Sequence, residues 1–228
     1  MSILKSLSFL SLLVSSSVFA SNCPIAPQHS AYECKGNFRA KTPEKLATYK
    51  ETMGLTSEGF ARNLVIDFDV EGESLSVASP CRIVLRKNRK INVTGNICLN
   101  SKKNVIIQPY SEISAKDIEL SSPEKIAIRH HAKISATNLS LISTGSGDNS
   151  RAHIRHDSTI NVTNLTLSSA SRSTLGHTST YTILENLNVS STAGFSAIWK
   201  TLVYAKSSKS ALVLPWASKP ASAISLAT

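Results

Sequence analysis

A motif of twelve residues recurs along the middle of this chain, and no single copy could bury its own apolar face. Ser111–Ser122, Ala132–Ser143, Ser158–Ser169 and Thr180–Ser191 superpose, and a looser copy, Arg89–Asn100, precedes them. Their lead isoleucines, Ile91, Ile113, Ile134, Ile160 and Ile183, are spaced by 22, 21, 26 and 23 residues. The last copy is imperfect, since Ile183 sits one place late relative to Asn186. Each copy reads as two short strands around a polar corner, because Ile-x-Ala/Val and then Leu-x-Leu point alternate side chains to one face. Asp117, Asn138, Asn164 and Asn186 hold the corner, residue types that tolerate left-handed backbone and bond their own main chain. Val105–Ile107, Ile126–Ile128 and His153–Arg155 supply a third strand in most units. Three strands per turn of about 22 residues predict a parallel β-helix, in which each coil covers the next. A leucine-rich repeat would need a helical half per unit, and a sandwich would not repeat one motif in register.

The ends of the chain read differently. A positive charge at Lys5, an apolar run over Leu7–Val14 and Val18-Phe19-Ala20 ahead of Ser21 have the order of a cleaved leader, so residues 1–20 are expected to be a signal peptide. The run is too short to span a bilayer, which takes about 20 apolar residues. Residues 21–62 are read as a disulfide-bearing segment and a capping helix. Thr42-Pro43-Glu44 is a helix start, Leu46, Tyr49 and Met53 share one helical face, and Gly54 can end it. The β-helix proper is placed at 63–191, as about five to six coils, with its first strands in Asn63–Val77. Residues 192–228 contain no acidic residue and no coil pattern and are expected to be irregular; their apolar runs are too short to cross a membrane.

Export gives the cysteines meaning. Cys23, Cys34, Cys81 and Cys98 make two disulfides the expectation in an oxidising compartment, and the shortest loops favour Cys23–Cys34 with Cys81–Cys98. No Cys-x-x-Cys pair occurs, and no metal or cofactor is expected. The formal net charge is +10 with only 6% aromatics. In an exported protein that charge points to anionic polymers, acidic glycans or membrane headgroups before nucleic acid.

The coil motif, leader and capping helix together resemble the pectin-lyase-like superfamily of secreted right-handed parallel β-helix proteins, over roughly residues 40–191. The resemblance implies an all-β right-handed solenoid. It leaves function open, since that superfamily holds polysaccharide lyases, glycosidases, esterases and non-enzymatic surface proteins. Its polygalacturonase-like members carry Asn-Thr-Asp, Asp-Asp, Gly-His-Gly and Arg-Ile-Lys. Here only Gly147-Asp148-Asn149 and Gly176-His177-Thr178 approach two of these, so Asp148 and His177 are the catalytic candidates. Glycoside hydrolysis needs two carboxylates facing one groove, about 5–10 Å apart. Asp67, Asp69, Glu71 and Glu73 alternate and are read as one solvated strand face.

One constellation points to binding. Aligning coils on Ile134 and Ile160 superposes Arg129 on Arg155 and His130 on His156, with Gln108 and then Arg86 and Lys87 in earlier coils. Stacked about 4.8 Å apart, such residues form a basic strip suited to an anionic polysaccharide or cell-surface glycan. The expectation is an exported, non-catalytic, surface- or envelope-associated binder without a membrane span. The alternative is a short relative of a polysaccharide lyase or glycoside hydrolase, and exposed terminal coils leave self-association open.

Overall fold

The computed structural model describes residues 23–25 and 32–191 together with the backbone of four short strands between 195 and 226. The leader expected at 1–20 lies outside the described residues.

The chain winds into a right-handed parallel β-helix of about seven turns, against the five to six coils expected from the repeats. The first row is an eight-stranded parallel sheet: Cys34–Ala40, Ala61–Ile66, Ile83–Leu85, Asn104–Ile107, Lys125–Ile128, Arg151–Ile154, Arg172–Leu175 and Phe195–Ala197. After a corner the second row follows, with Val70–Gly72, Lys90–Val93, Glu112–Ser114 and the first halves of Lys133–Ser143, Thr159–Ser169 and Thr180–Ser191. The second halves of those long strands continue the third row begun by Leu75–Ser79, Asn96–Ser101 and Asp117–Ser122. Beyond Ser191, the backbone of Leu202–Ala205 adds a parallel strand to the second row, and Ala223–Leu226 pairs antiparallel with the third. Ala211–Val213 pairs antiparallel with Leu202–Ala205, and the tail residues outside these strands lie outside the described residues.

Period-2 patterning builds the core directly. Inward positions stack like on like: Leu85, Ile107, Ile128, Ile154 and Leu175 in the first row, and Leu120, Leu141, Leu167 and Val189 in the third. All nine are 0–1% exposed, and each such side chain contributes about 2 kcal/mol on burial. Pro43–Thr52 is the capping helix, with Thr42 Oγ1 accepting from the Lys45 N–H at 3.4 Å. Its Tyr49 is fully buried, and Tyr49 Oη donates to the Arg62 carbonyl at 3.1 Å and lies 2.6 Å from Ser79 Oγ. Gly54 follows at φ +68°, where a Cβ would come within 2.4 Å of that ring.

Four expectations are corrected. The disulfides are Cys23–Cys98 and Cys34–Cys81, with Cα separations of 5.5 and 5.8 Å; Cys34 opens the first strand of the first row and Cys81 lies just before the third, so the shortest loops do not decide the pairing. The third strand of the 151 coil is Arg151–Ile154, not His153–Arg155. Ala152 therefore points inward and His153 outward, since a one-residue slip exchanges the faces. In the last unit Tyr181, not Ile183, takes the place of Ile160; Leu184 and Glu185 bulge where Thr163 stands alone, which explains the late isoleucine. Finally, the left-handed residues are not Asp117, Asn138, Asn164 and Asn186. Those four sit in extended strands and form a side-chain ladder, with Nδ2···Oδ1 distances of 2.5, 2.8 and 2.7 Å.

The left-handed position is at the other corner, between the first and second rows. Asn88, Tyr110, His131, Asp157 and Thr178 each have φ of 53–59°, one per coil. Each of the first four sends its N–H to a carbonyl of the next coil. A non-glycine residue there carries about 1 kcal/mol of strain, set against the inter-coil hydrogen bond it makes. The corner where the third row returns to the first is lined instead by buried serines, such as Ser101, whose Oγ donates to the Cys81 carbonyl at 2.7 Å.

Candidate anion-binding face

The outer surface of the eight-stranded sheet carries the charge. Side chains two apart in a strand stand about 7 Å apart on the same face, so each four-residue crossing presents three outward columns. The leading column runs Asn63, Arg82, Asn104, Lys125, Arg151, Arg172. The central column is Val65, Val84, Ile106, Ala127, His153, Thr174. The trailing column, continued by the inter-coil hydrogen bonds Arg86→Ile66, Gln108→Leu85, Arg129→Ile107 and Arg155→Ile128, is Asp67, Arg86, Gln108, Arg129, Arg155, Gly176. Over the later coils long cations thus flank the central column, which is apolar from Val65 to Ala127 and polar at His153 and Thr174.

The two ends of this face differ in their carboxylates. Asp67 is 6% exposed and is gripped by Arg86 at 2.5 Å and Arg89 at 3.1 Å, with Arg39 at 3.8 Å. Burial raises its proton affinity, but the hydrogen bonds and charges of Arg86 and Arg89 outweigh that and hold its carboxyl below the usual range. Asp67 therefore does not share a solvated face with Asp69, Glu71 and Glu73: the chain turns at 67–69 and the strand holds only Val70–Gly72. Farther along, Glu124 is taken by Lys103 at 3.3 Å and by the Asn104 amide at 3.0 Å. Among the described residues, Arg82, Lys125, Arg129, Arg155 and Arg172 form no ion pair, and the Arg151 Nε donates to the backbone carbonyl of Asp148 at 2.9 Å.

Beside the trailing column the corner carries a stack of rings. His130, His156 and His177 lie parallel, with centroids 5.1 and 4.9 Å apart and interplanar angles of 6° and 8°. Tyr110 and His131 stack at 4.7 Å in the adjoining column. Burial, then the charges of His156, His131, Arg155 and Arg129, push the His130 imidazole below its ordinary value, and its buried Nδ1 has no hydrogen-bond partner. Asp157, which accepts from Thr178 Oγ1, is held below the carboxylate range first by that bond and then by the neighbouring histidines.

The residues singled out from the sequence fall into two sets. Arg129, Arg155, His130 and His156 are brought together as expected from the alignment, with Arg86 two coils away and committed to Asp67. Lys87, exposed, donates its backbone N–H to Gln108 Oε1 at 3.2 Å. Asp148 and His177 are not brought together. Asp148 lies in the loop leading into the first row, and His177 at the corner leaving it, as the third ring of the stack. Gly176 precedes that ring because a Cβ would lie 2.3 Å from the Arg155 carbonyl carbon. Lys125, Arg151 and Arg172 had escaped notice. Of these only Lys125 carries a signal in the sequence, ahead of Ile126, since Ala152 and Ser173 do not mark an inward position.

Two grooves lie elsewhere. One, of about 450 Å³, runs along the second row beside the Lys90–Glu112–Lys133 ion-pair ladder, with bonds of 3.2 Å each. The other, of about 630 Å³, is lined by Glu73, Lys116, Asp117 and Glu119 and ends at the Cys23–Cys98 disulfide. No set of three or more His, Cys, Asp or Glu side chains among the described residues is arranged to hold a metal ion, and no helix among them is long and apolar enough to cross a membrane. No family model, curated protein or solved structure matches this chain.

Proposed function

We propose that this chain is an exported β-helix protein of the pectin-lyase-like type that binds an anionic polysaccharide at a cell surface or in the envelope space, without catalysis. One observation carries the reading: over successive coils Lys125, Arg151 and Arg172 in the leading column and Arg129 and Arg155 in the trailing one stand without an ion pair among the described residues, on either side of Ala127, His153 and Thr174. A polymer lying along the coil axis meets a cation about every 4.8 Å over three coils of the leading column and two of the trailing one. Guanidinium forks give the carboxylate or sulfate groups directional partners. Two disulfides in the first coils agree with an oxidising compartment.

The test is capture of acidic glycans on an array by the purified mature chain, at low and at physiological salt, beside an Arg129→Ala/Arg155→Ala double variant. The expected result is salt-sensitive capture that the double variant loses by tenfold or more. A folded wild-type chain that captures no acidic glycan at low salt overturns the reading.

A second reading attaches to the 630 Å³ groove, where Glu73, Asp117 and Glu119 meet Lys116. Polysaccharide cleavage would need a free carboxylate and a base there, and Asp117 already accepts from the Asn138 amide at 2.5 Å. Release of new chain ends from an acidic polysaccharide, lost in Asp117→Asn, would move the function to that groove.

A further inference from the structure

Within the basic face, one imidazole is surrounded. His153 stands outward in the central column, between Ala127 of the preceding coil and Thr174 of the following one. Its Nε2 is buried and has no hydrogen-bond partner. Arg151 and Arg155 flank it along its own strand, Lys125 and Arg129 do so from the preceding coil, and Arg172 stands on the following one. The acids that lead into its own and the preceding strand do not serve it. Glu124 is engaged by Lys103 and Asn104, and Asp148 meets Arg151 only through its backbone carbonyl.

A protein does not gather five cations around a buried, unsatisfied nitrogen without cost. Like charges on neighbouring strands repel, and the unpaired nitrogen forfeits about 1–3 kcal/mol. At the other end of the same face the arrangement is completed by an anion, since Asp67 fills the space among Arg39, Arg86 and Arg89. Around His153 the cations and the donor site are present, and no carboxylate among the described residues pairs with it.

We infer that Lys125, Arg129, Arg151 and Arg155 around His153 form a seat for one sulfate- or phosphate-type oxyanion of the bound polymer, and that the anion enters together with a proton taken up by His153. The seat rests on the proposed polyanion-binding role and gives it a preferred group. Donors converge from two columns, which suits a group with three terminal oxygens better than a planar carboxylate with two. The proton comes from solvent, and the charged ring then donates from Nε2 to the anion. Without ligand, burial and then the charges of Lys125, Arg155, Arg151 and Arg129 push the imidazole down to about 4, so it is neutral at pH 7. A bound anion offsets part of the field of these cations and accepts from the charged ring, so affinity rises as pH falls from the liganded value toward the unliganded one.

The experiment follows the His153 ring by NMR through a pH titration of the whole mature chain, with and without inorganic sulfate, and again with phosphate. In parallel it measures binding of dextran sulfate and of a phosphorylated dextran near pH 5 and pH 7.5. Sulfate or phosphate is expected to raise the His153 midpoint by about two units, a hundredfold change in proton affinity, and the Arg129→Ala/Arg155→Ala variant to abolish the rise. The polymer carrying the preferred group should bind about tenfold tighter at the lower pH, and His153→Asn should lose that gain while keeping binding at pH 7.5. If both polymers bind equally well at the two pH values and neither ion moves His153, the seat is wrong and the polyanion face survives. If an ion moves His153 but no acidic polymer is captured, the seat stands and the polymer reading falls. Silence in both overturns both.

Discussion

Two clusters of cations sit on one face of this solenoid, and they solve the same electrostatic problem in opposite ways. At the N-terminal end, Arg39, Arg86 and Arg89 converge on the buried carboxylate of Asp67. At the C-terminal end, Lys125, Arg129, Arg151 and Arg155 surround His153, an imidazole that adding a proton would only make worse. The first cluster is internally neutralised and structural: removing its anion leaves charge uncompensated. The second keeps its charge available. What separates them is one acidic side chain at a column position, so the difference between a staple and a binding site in this fold is local and small. Gln108 marks the boundary, in the trailing column between Arg86 and Arg129.

That contrast can be broken from either side. The largest effect is expected for Asp67→Asn. It removes the anion while keeping the shape, and should cost about 3 kcal/mol in urea unfolding, at the low end for a broken buried pair because the arginines are partly exposed. An unchanged unfolding midpoint would mean that solvent already screens those arginines. Next comes pH. The folded His153 sits near 4 and its unfolded counterpart near 6.5, so the unfolded chain binds more protons between those values. Stability should be complete above about pH 6.5 and fall as pH drops toward 4, by about 2 kcal/mol after allowing for partial exposure. Asp67, Glu112 and Asp157 are all held below the ordinary carboxylate range and so contribute least in that window. His153→Asn should flatten most of the slope and leave the part that belongs to His130. A slope unaltered in that variant would assign the effect to the stacked corner histidines instead. The smallest effect is expected from Gln108→Glu, which keeps the acceptor for the Lys87 N–H and extends internal neutralisation along the column. It should raise stability by about 0.5 kcal/mol and weaken capture of an acidic polymer several-fold. A Gln108→Glu chain that binds as tightly as wild type would place the polymer on the leading column alone.

The coil architecture was legible because apolar residues repeat at a period that only stacked strands can use. Register was less legible. Ala152 is too small to announce an inward position, so His153 with Ile154 looked like the start of a strand, and the central residue of the basic face was turned the wrong way. The left-handed corner was hidden for a related reason. Asparagine is the familiar occupant of that conformation, yet here Tyr110, His131 and Thr178 take it as well, while the asparagines were recruited into a hydrogen-bonded ladder along the strands. Disulfide partners could not be read from loop length, because winding decides which coils meet. Arg129 and Arg155 were found by alignment, whereas Asp67, which decides what Arg86 does, carried no signal beyond an acid among other acids.

The fixed corner has one more consequence, for where this fold can change. Five successive coils turn from the first row to the second through the same four-residue corner with its single left-handed residue, so that seam tolerates no added length without breaking the inter-coil hydrogen bonds. The 26-residue interval from Ile134 to Ile160 is absorbed instead at the opposite seam, in the loop at 144–150. That loop opens directly beside Arg151 and the leading basic column. New recognition can therefore be grafted next to the charged face by lengthening a single turn, while the winding of every other coil stays as it is.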